Sequence, residues 1–296
     1  MERILVTGKS GQVGVELQAA LGPLGEVRAV GREELDLRSA GSIRACIREM
    51  RPTAIVNAAG YTRVDDAELE PDLALQVNGV APGVLAEEAR RIGAVLLHYS
   101  TDYVYDGTLD RPYVEEDETR PVNAYGLSKL EGEKAITAVG GAYLILRTSW
   151  VYGLLGTNFV LTILRLARER TELRVVDDQT GSPNWARVLA GTTAMLLRRA
   201  DVIAENSGIY HLSAAGTTSR CEFARAILQS AAERSGSPHA WGTVVPVSSD
   251  DYPTRARRPL HLATDKSKMK RVFGVEMPDW RVQLEMYMAE YFKRVS

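Results

Sequence analysis

The sequence is short of several things, and each shortage removes a class of protein. Its two cysteines, Cys46 and Cys221, lie far apart and have no metal-ligand spacing, which excludes a disulfide framework or a cysteine zinc site and leaves buried or incidental thiols, as suits a reducing cytosol. Net charge is only −2, with a pI near 6.2, so the chain has no general attraction to nucleic acid or acidic membranes and any positive site must be local. No apolar run approaches the roughly 20 residues of a membrane span. The first strand-like run, Arg3 to Thr7, starts almost at once and leaves no room for a signal peptide, so a cytoplasmic location is expected. Internal repeats, low-complexity segments and long Pro/Gly/Ser linkers are also missing.

What is present is regular alternation. The 296 residues, 45% of them hydrophobic, suffice for one large domain or for a nucleotide-binding domain with a smaller one appended. Apolar β-rich runs at 3–7, 27–30, 54–57, 94–99 and 142–147 are separated by helix-length segments. That pattern predicts an α/β fold, a Rossmann-like doubly wound parallel sheet. Residues 1–150 are expected to form the dinucleotide-binding domain and also to receive later segments, approximately 184–206. Residues 151–296 should mainly form a smaller, interwoven α/β substrate domain.

The loop Thr7-Gly-Lys-Ser-Gly-Gln-Val-Gly14 follows the first strand and opens a helix. Gly8, Gly11 and Gly14 permit a tight turn, close backbone approach to a pyrophosphate and close helix packing, and the helix N-terminus attracts the anion. After the second strand, Gly31-Arg32 stands where an NAD-preferring enzyme would commonly place a carboxylate. A guanidinium there can bind a 2′-phosphate, which favours NADPH over NADH. Asn57-Ala-Ala-Gly-Tyr61 ends the third strand with small residues that let backbone approach a cofactor. Asn78, between Val77 and Gly79, either braces that strand or lies on a helix surface.

Tyr125 and Lys129 are four apart at the start of a predicted helix, so phenol and ammonium share one face. A nearby cation lowers a phenol's pKa from roughly 10, and the pair suits reversible protonation of an alcohol oxygen. Upstream, Ser100-Thr-Asp-Tyr-Val-Tyr-Asp-Gly107 can supply a hydroxyl beside the phenol. His98 in its apolar strand reads as a packed residue, His211 as structural, and Gly208–Ser213 as a strand of the smaller domain. Tyr252-Pro-Thr-Arg-Ala-Arg-Arg-Pro259 is a basic loop that could pair with a pyrophosphate through Arg258.

With these strings in this order, together with Arg147-Thr-Ser-Trp-Val-Tyr-Gly153, the chain resembles the dTDP-4-dehydrorhamnose reductase family of the extended short-chain dehydrogenase/reductase superfamily. The resemblance implies reduction of a dTDP-4-keto sugar at C4. It places Thr101, Tyr125 and Lys129 in catalysis, with Tyr125 the proton donor and Lys129 also holding the nicotinamide ribose. The dinucleotide would be met by Gly8, Gly11, Gln12, Val13, Gly14, Arg32, Asp36, Leu37, Ala59, Gly60, Tyr61 and Tyr99, and the sugar nucleotide by Thr101, Asp102, Tyr125, Trp150 and Arg258. The stretch Val176–Pro183 resembles the family's turn near the nucleotide half of the substrate, although Asn184 stands where a threonine is usual. Arg258-Pro-Leu-His-Leu262 keeps only the Arg-Pro of its family counterpart.

Other expectations concern metal, assembly and rival functions. Some members are described as magnesium-linked dimers using glutamates. Glu16 would match one of these, but Arg187 stands where another carboxylate is expected, so Mg²⁺ is doubtful and no metal site is expected. A homodimer is possible; nucleic-acid and membrane partners are not expected. Two other functions fit the superfamily: an NAD-dependent nucleotide-sugar epimerase or dehydratase, and a non-catalytic subunit resembling the regulatory subunit of methionine adenosyltransferase.

Overall fold

The structure is a computed structural model, and it describes residues 2–236 and 241–295. Its centre is a six-stranded sheet of β1 (Glu2–Thr7), β2 (Gly25–Val30), β3 (Ala54–Asn57), β4 (Val95–Thr101), β5 (Tyr143–Thr148) and the strand Gly208–His211. Across the sheet the order is Gly208–His211, β5, β4, β3, β1, β2, and every pairing is parallel. The strands are apolar on both faces because both faces are covered by helices. Ile4, Val6, Val56, Leu97 and Leu146 face one way, against Leu17 of helix α1 (Gln12–Leu21) and Leu189 of the helix Ala186–Leu197. Leu5, Ile55, Leu96 and Ile145 face the other, against Ile43 and Ile47 of helix α2 (Ala40–Met50), and against Leu85 and Ile136.

The later part of the chain builds a separate aromatic core of Tyr152, Trp185, Phe223, Trp280, Tyr287 and Met288, carried by the helices Phe159–Glu169, Arg220–Ser235 and Trp280–Val295 and by short strands. Asp279 accepts the Arg281 N–H at 2.8 Å and so caps the last of these helices. None of the described helices is long and apolar enough to cross a membrane.

Two elements differ from the sequence expectation. Gly208–His211 is not a strand of the smaller unit; it pairs in parallel with β5 at the edge of the main sheet, from Gly208 beside Leu144 to His211 beside Arg147. The segment 71–91 is not one uniform helix. It runs as Pro71–Leu75, a π-turn over Gln76–Val80, and Ala81–Ile92. Pro82 has no N–H to give to that turn, and the wide turn carries Asn78 inward, where it is buried.

Candidate active site

A cleft of about 750 Å³ opens at the carboxyl ends of the strands, the edge at which parallel α/β sheets bind ligands. At one end is the phosphate loop. β1 stops at Thr7, and Gly8 turns the chain with a φ of +80° that favours glycine. Gly11 then caps α1 without any side-chain hydrogen bond, which leaves helix N-terminal N–H groups for an anion. A Cβ on Gly14 would lie 2.0 Å from the Gly8 carbonyl oxygen, so only glycine lets the helix sit this close.

Two guanidinium groups stand at the end of β2. Arg32 is exposed. Arg38 grips Asp36 through Nε at 3.0 Å and Nη2 at 2.7 Å, which with the Arg38 N–H and the nearby Arg32 charge holds the Asp36 carboxyl down at about 2. Arg32, Asp36, Leu37 and Arg38 all line the cleft.

The catalytic candidates meet at the middle. Asn123 accepts the Gly126 N–H at 2.8 Å and caps the helix Ala124–Val139, whose first turns bring Tyr125 and Lys129 to the same cleft. Lys129 is 4% exposed. Its Nζ donates to the Tyr99 carbonyl at 2.6 Å and lies 3.1 Å from His98 Nε2. Burial lowers the Lys129 ammonium to about 8, against the opposing pull of Glu133. The Tyr125 phenol moves the other way from the sequence expectation: burial pushes it above its ordinary value, and a hydrogen bond from the Thr101 hydroxyl only partly offsets this.

Beneath these groups, Glu133 and Arg147 form an ion pair at 2.7 Å, each side chain 2% exposed, and Ser100 Oγ donates to Glu133 at 2.5 Å. This fastens the catalytic helix to β4 and β5. Asp102 follows Thr101, is 2% exposed, and is raised to about 6 by burial. Its Oδ2 and the Thr148 hydroxyl have no hydrogen-bond partner within 3.5 Å; the Ser149 hydroxyl, also without one at that distance, is still near enough to Asp102 to pull its carboxyl partly back down, and all three residues line the cleft. Unsatisfied polar atoms at a cavity wall are what a polyhydroxylated ligand would satisfy.

Trp150 has a left-handed backbone, φ +39°, a conformation that costs a non-glycine residue about 1–3 kcal/mol. Asn184, buried, holds the strained loop by donating to Ser149 O at 2.6 Å, while its N–H donates to Trp150 O at 3.2 Å. The Arg220 guanidinium lies 3.6 Å over the Trp150 ring and 5.1 Å over Phe159.

Most of the sequence-predicted residues therefore share one cleft: Gly8, Gly11, Gln12, Val13, Arg32, Asp36, Leu37, Ala59, Gly60, Tyr99, Thr101, Asp102, Tyr125, Lys129 and Trp150. Three do not line it. Gly14 is one turn inside α1, packed on Gly8. The Tyr61 phenol turns to Glu70, with Arg63 over its ring at 5.2 Å. Arg258 is drawn off by Asp65, Nη2 to Oδ2 at 2.7 Å. The turn at 176–183 does not reach the cleft either.

Asn78 is a brace: it accepts the Tyr61 N–H at 2.8 Å and donates to Tyr61 O and Ser128 Oγ, each at 2.9 Å. Arg38, Ser149 and Arg220 are lining residues that the sequence did not reveal. Arg187 sits in the region of the doubtful metal and binds Glu16 at 2.9 Å. Among the described residues no group of three His, Cys, Asp or Glu could hold a metal ion.

Comparison with known proteins gives consistent findings. A family model described as "RmlD substrate binding domain" matches residues 1–293. A dTDP-4-dehydrorhamnose reductase of Burkholderia thailandensis is 46% identical over 284 residues, covering 94% of this chain and 95% of that one. Its counterpart in Escherichia coli K12 is 42% identical and covers 98% of each. Among solved structures, a dTDP-4-dehydrorhamnose reductase from Bacillus anthracis in complex with NADP has a TM-score of 0.90 at 35% identity, covering 98% of this chain and 99% of that one. A UDP-glucose 4-epimerase from Thermus thermophilus in complex with NAD, at 20% identity and a TM-score of 0.79, shares the fold.

Proposed function

The chain belongs to the dTDP-4-dehydrorhamnose reductase family, and from that premise we propose that it reduces the C4 carbonyl of dTDP-4-dehydro-L-rhamnose to give dTDP-L-rhamnose, using NADPH and accepting NADH less well. The observation that carries this is the convergence of Thr101, Tyr125 and Lys129 on the cleft that begins at the glycine loop. The loop fits a dinucleotide: Gly8 has a positive φ, Gly14 has no room for a side chain, and the first turn of α1 is uncapped. Arg32 and Arg38 fit a 2′-phosphate better than a bare ribose.

When bound, the nicotinamide supplies the hydride to C4. Tyr125 gives its proton to the C4 oxygen, and its raised pKa keeps the phenol protonated and ready at neutral pH. The Thr101 hydroxyl hydrogen-bonds the same oxygen as negative charge develops there. Lys129, at about 8, is a stronger acid than the buried phenol and restores its proton. Asp102 Oδ2 and the Thr148 and Ser149 hydroxyls accept from or donate to the sugar hydroxyls. Trp150 walls the deoxyhexose, and Arg220 meets the diphosphate. In this reading residues 1–150, with 184–206 returning to them, hold the dinucleotide, and most of 151–296 holds the sugar nucleotide. A cytoplasmic location and a homodimer belong to the same proposal.

The test is direct. Purified protein is given a panel of 4-keto sugar nucleotides with NADPH or NADH, and loss of reduced-nicotinamide absorbance is followed. Turnover should be fastest with the dTDP-4-keto-L-sugar and NADPH; absence of turnover across the panel overturns the proposal.

A further inference from the structure

A row of buried polar side chains crosses three neighbouring strands and ends at the lysine. Thr7, Asn57 and His98 stand in register on β1, β3 and β4, each 1% exposed. Thr7 Oγ1 donates to Asn57 Oδ1 at 2.6 Å, Asn57 Nδ2 meets His98 Nδ1 at 2.8 Å, and His98 Nε2 lies 3.1 Å from Lys129 Nζ. The chemistry proposed above uses only the last member.

Counting donors along the row exposes a conflict. If the amide nitrogen of Asn57 donates to Nδ1, a neutral imidazole carries its proton on Nε2, facing Lys129. A lysine ammonium has three N–H donors and no lone pair, so two donors would then oppose one another in a buried site. A half-turn of the Asn57 amide removes the conflict without moving any heavy-atom position, because its oxygen and nitrogen ends have the same shape. Oδ1 then accepts from His98 Nδ1–H, Nε2 accepts from the ammonium, and Nδ2 donates to Thr7 Oγ1. The Thr7 hydroxyl proton is freed toward the cleft, which Thr7 lines.

We propose that His98 is a positioning residue, held as its Nδ1–H tautomer by the turned Asn57 amide so that Nε2 anchors Lys129 as a cation. Two ammonium N–H groups are then committed, to Tyr99 O and to His98 Nε2, and the third is left for the cleft that Lys129 lines. The opposite tautomer would favour a neutral amine whose lone pair is occupied by His98, a poor proton source for a phenolate. Burial and the Lys129 charge both disfavour a protonated His98, so the imidazole acts as an acceptor and not as an acid. The other charged group acting on Lys129 is Glu133, already paired with Arg147; Asn57, Thr7 and the Tyr99 carbonyl carry no charge.

The catalytic meaning of this assignment rests on the reductase reading, but the tautomer itself does not. The deciding measurement is therefore nitrogen-15 NMR of the histidine side chains in the intact protein without added substrate, at pH 6.5. His98 should show a protonated Nδ1 and an unprotonated Nε2; a proton on Nε2 overturns the proposal. The second measurement is the pH profile of turnover. His98→Leu should lower kcat about ten-fold and move the limb set by Lys129 at least one pH unit downward, with little change in KM for NADPH. His98→Gln, whose side-chain oxygen reaches the Nε2 position, should return most of that shift. An unmoved limb in a folded His98→Leu protein also overturns the proposal. If the wild type shows the expected tautomer and yet no turnover, the reductase reading fails and the assignment of the row stands.

Discussion

At the scale of single residues, the oxygen of Tyr125 carries the proposed chemistry, and Tyr125→Phe removes it while leaving the ring packed edge-on against Tyr103 at 5.8 Å. The expected result is a fall in kcat of about 10²–10⁴-fold, the range of general acid catalysis, with NADPH affinity from a fluorescence titration nearly unchanged. Asp102 gives a prediction about stability. Its carboxyl rises from 3.8 in the unfolded chain to about 6 when folded, so between those values the folded protein binds more protons and stability falls as pH rises through the window. Asp102→Asn should therefore stabilise the protein at pH 7 by about 2–3 kcal/mol, with the gain vanishing below pH 4; urea unfolding at the two pH values checks this. Tyr125 and Lys129 were legible in the sequence because one helical turn relates them. Arg220 was not, since its partners Trp150 and Phe159 come from a distant segment and a lone arginine after Ser219 shows no pattern. The Asp65 partner of Arg258 was hidden for the same reason: the two are far apart in the chain.

At the scale of elements, the turn from β1 into α1 has the tightest tolerance. Gly14→Ala would put a methyl group 2.0 Å from the Gly8 carbonyl oxygen, forcing loop and helix apart. Overpacking of this kind costs about 1–3 kcal/mol, so the urea midpoint should fall. NADPH affinity should fall more than ten-fold, because the N–H groups of α1 no longer converge with the loop. The glycines, and the five strands that stand out as mostly apolar β-rich runs, could be read directly from the sequence. The sixth strand could not be assigned, because Gly208–His211 looks the same from within whether it pairs with β5 or with a strand of the smaller unit. Only the register beside Leu144–Arg147 decides. The π-turn at 76–80 was equally hidden, because Pro82 alone marks no particular kind of helix irregularity and the contacts of Asn78 with Tyr61 and Ser128 that accompany the turn are made across the fold.

At the scale of the whole molecule, Arg187 joins α1 to the last helix: its guanidinium binds Glu16 at 2.9 Å and lies 3.8 Å from Glu290, over the Trp185 ring at 4.8 Å. A fixed cation already neutralises the carboxylates that a divalent ion would need. Dialysis against EDTA should leave both turnover and the melting temperature unchanged, whereas Arg187→Glu should lower the melting temperature by bringing like charges together. The parallel edge strand carries a different consequence, one of timing during synthesis. Until residue 211 has left the ribosome, the flank of β5 is bare backbone, able to pair with any passing strand. The nucleotide-binding half by itself would thus present an unpaired edge at β5, however complete its glycine loop and catalytic helix already are. A chain ending near residue 150 should aggregate more readily than the whole protein, because the strand that covers this edge arrives about sixty residues later.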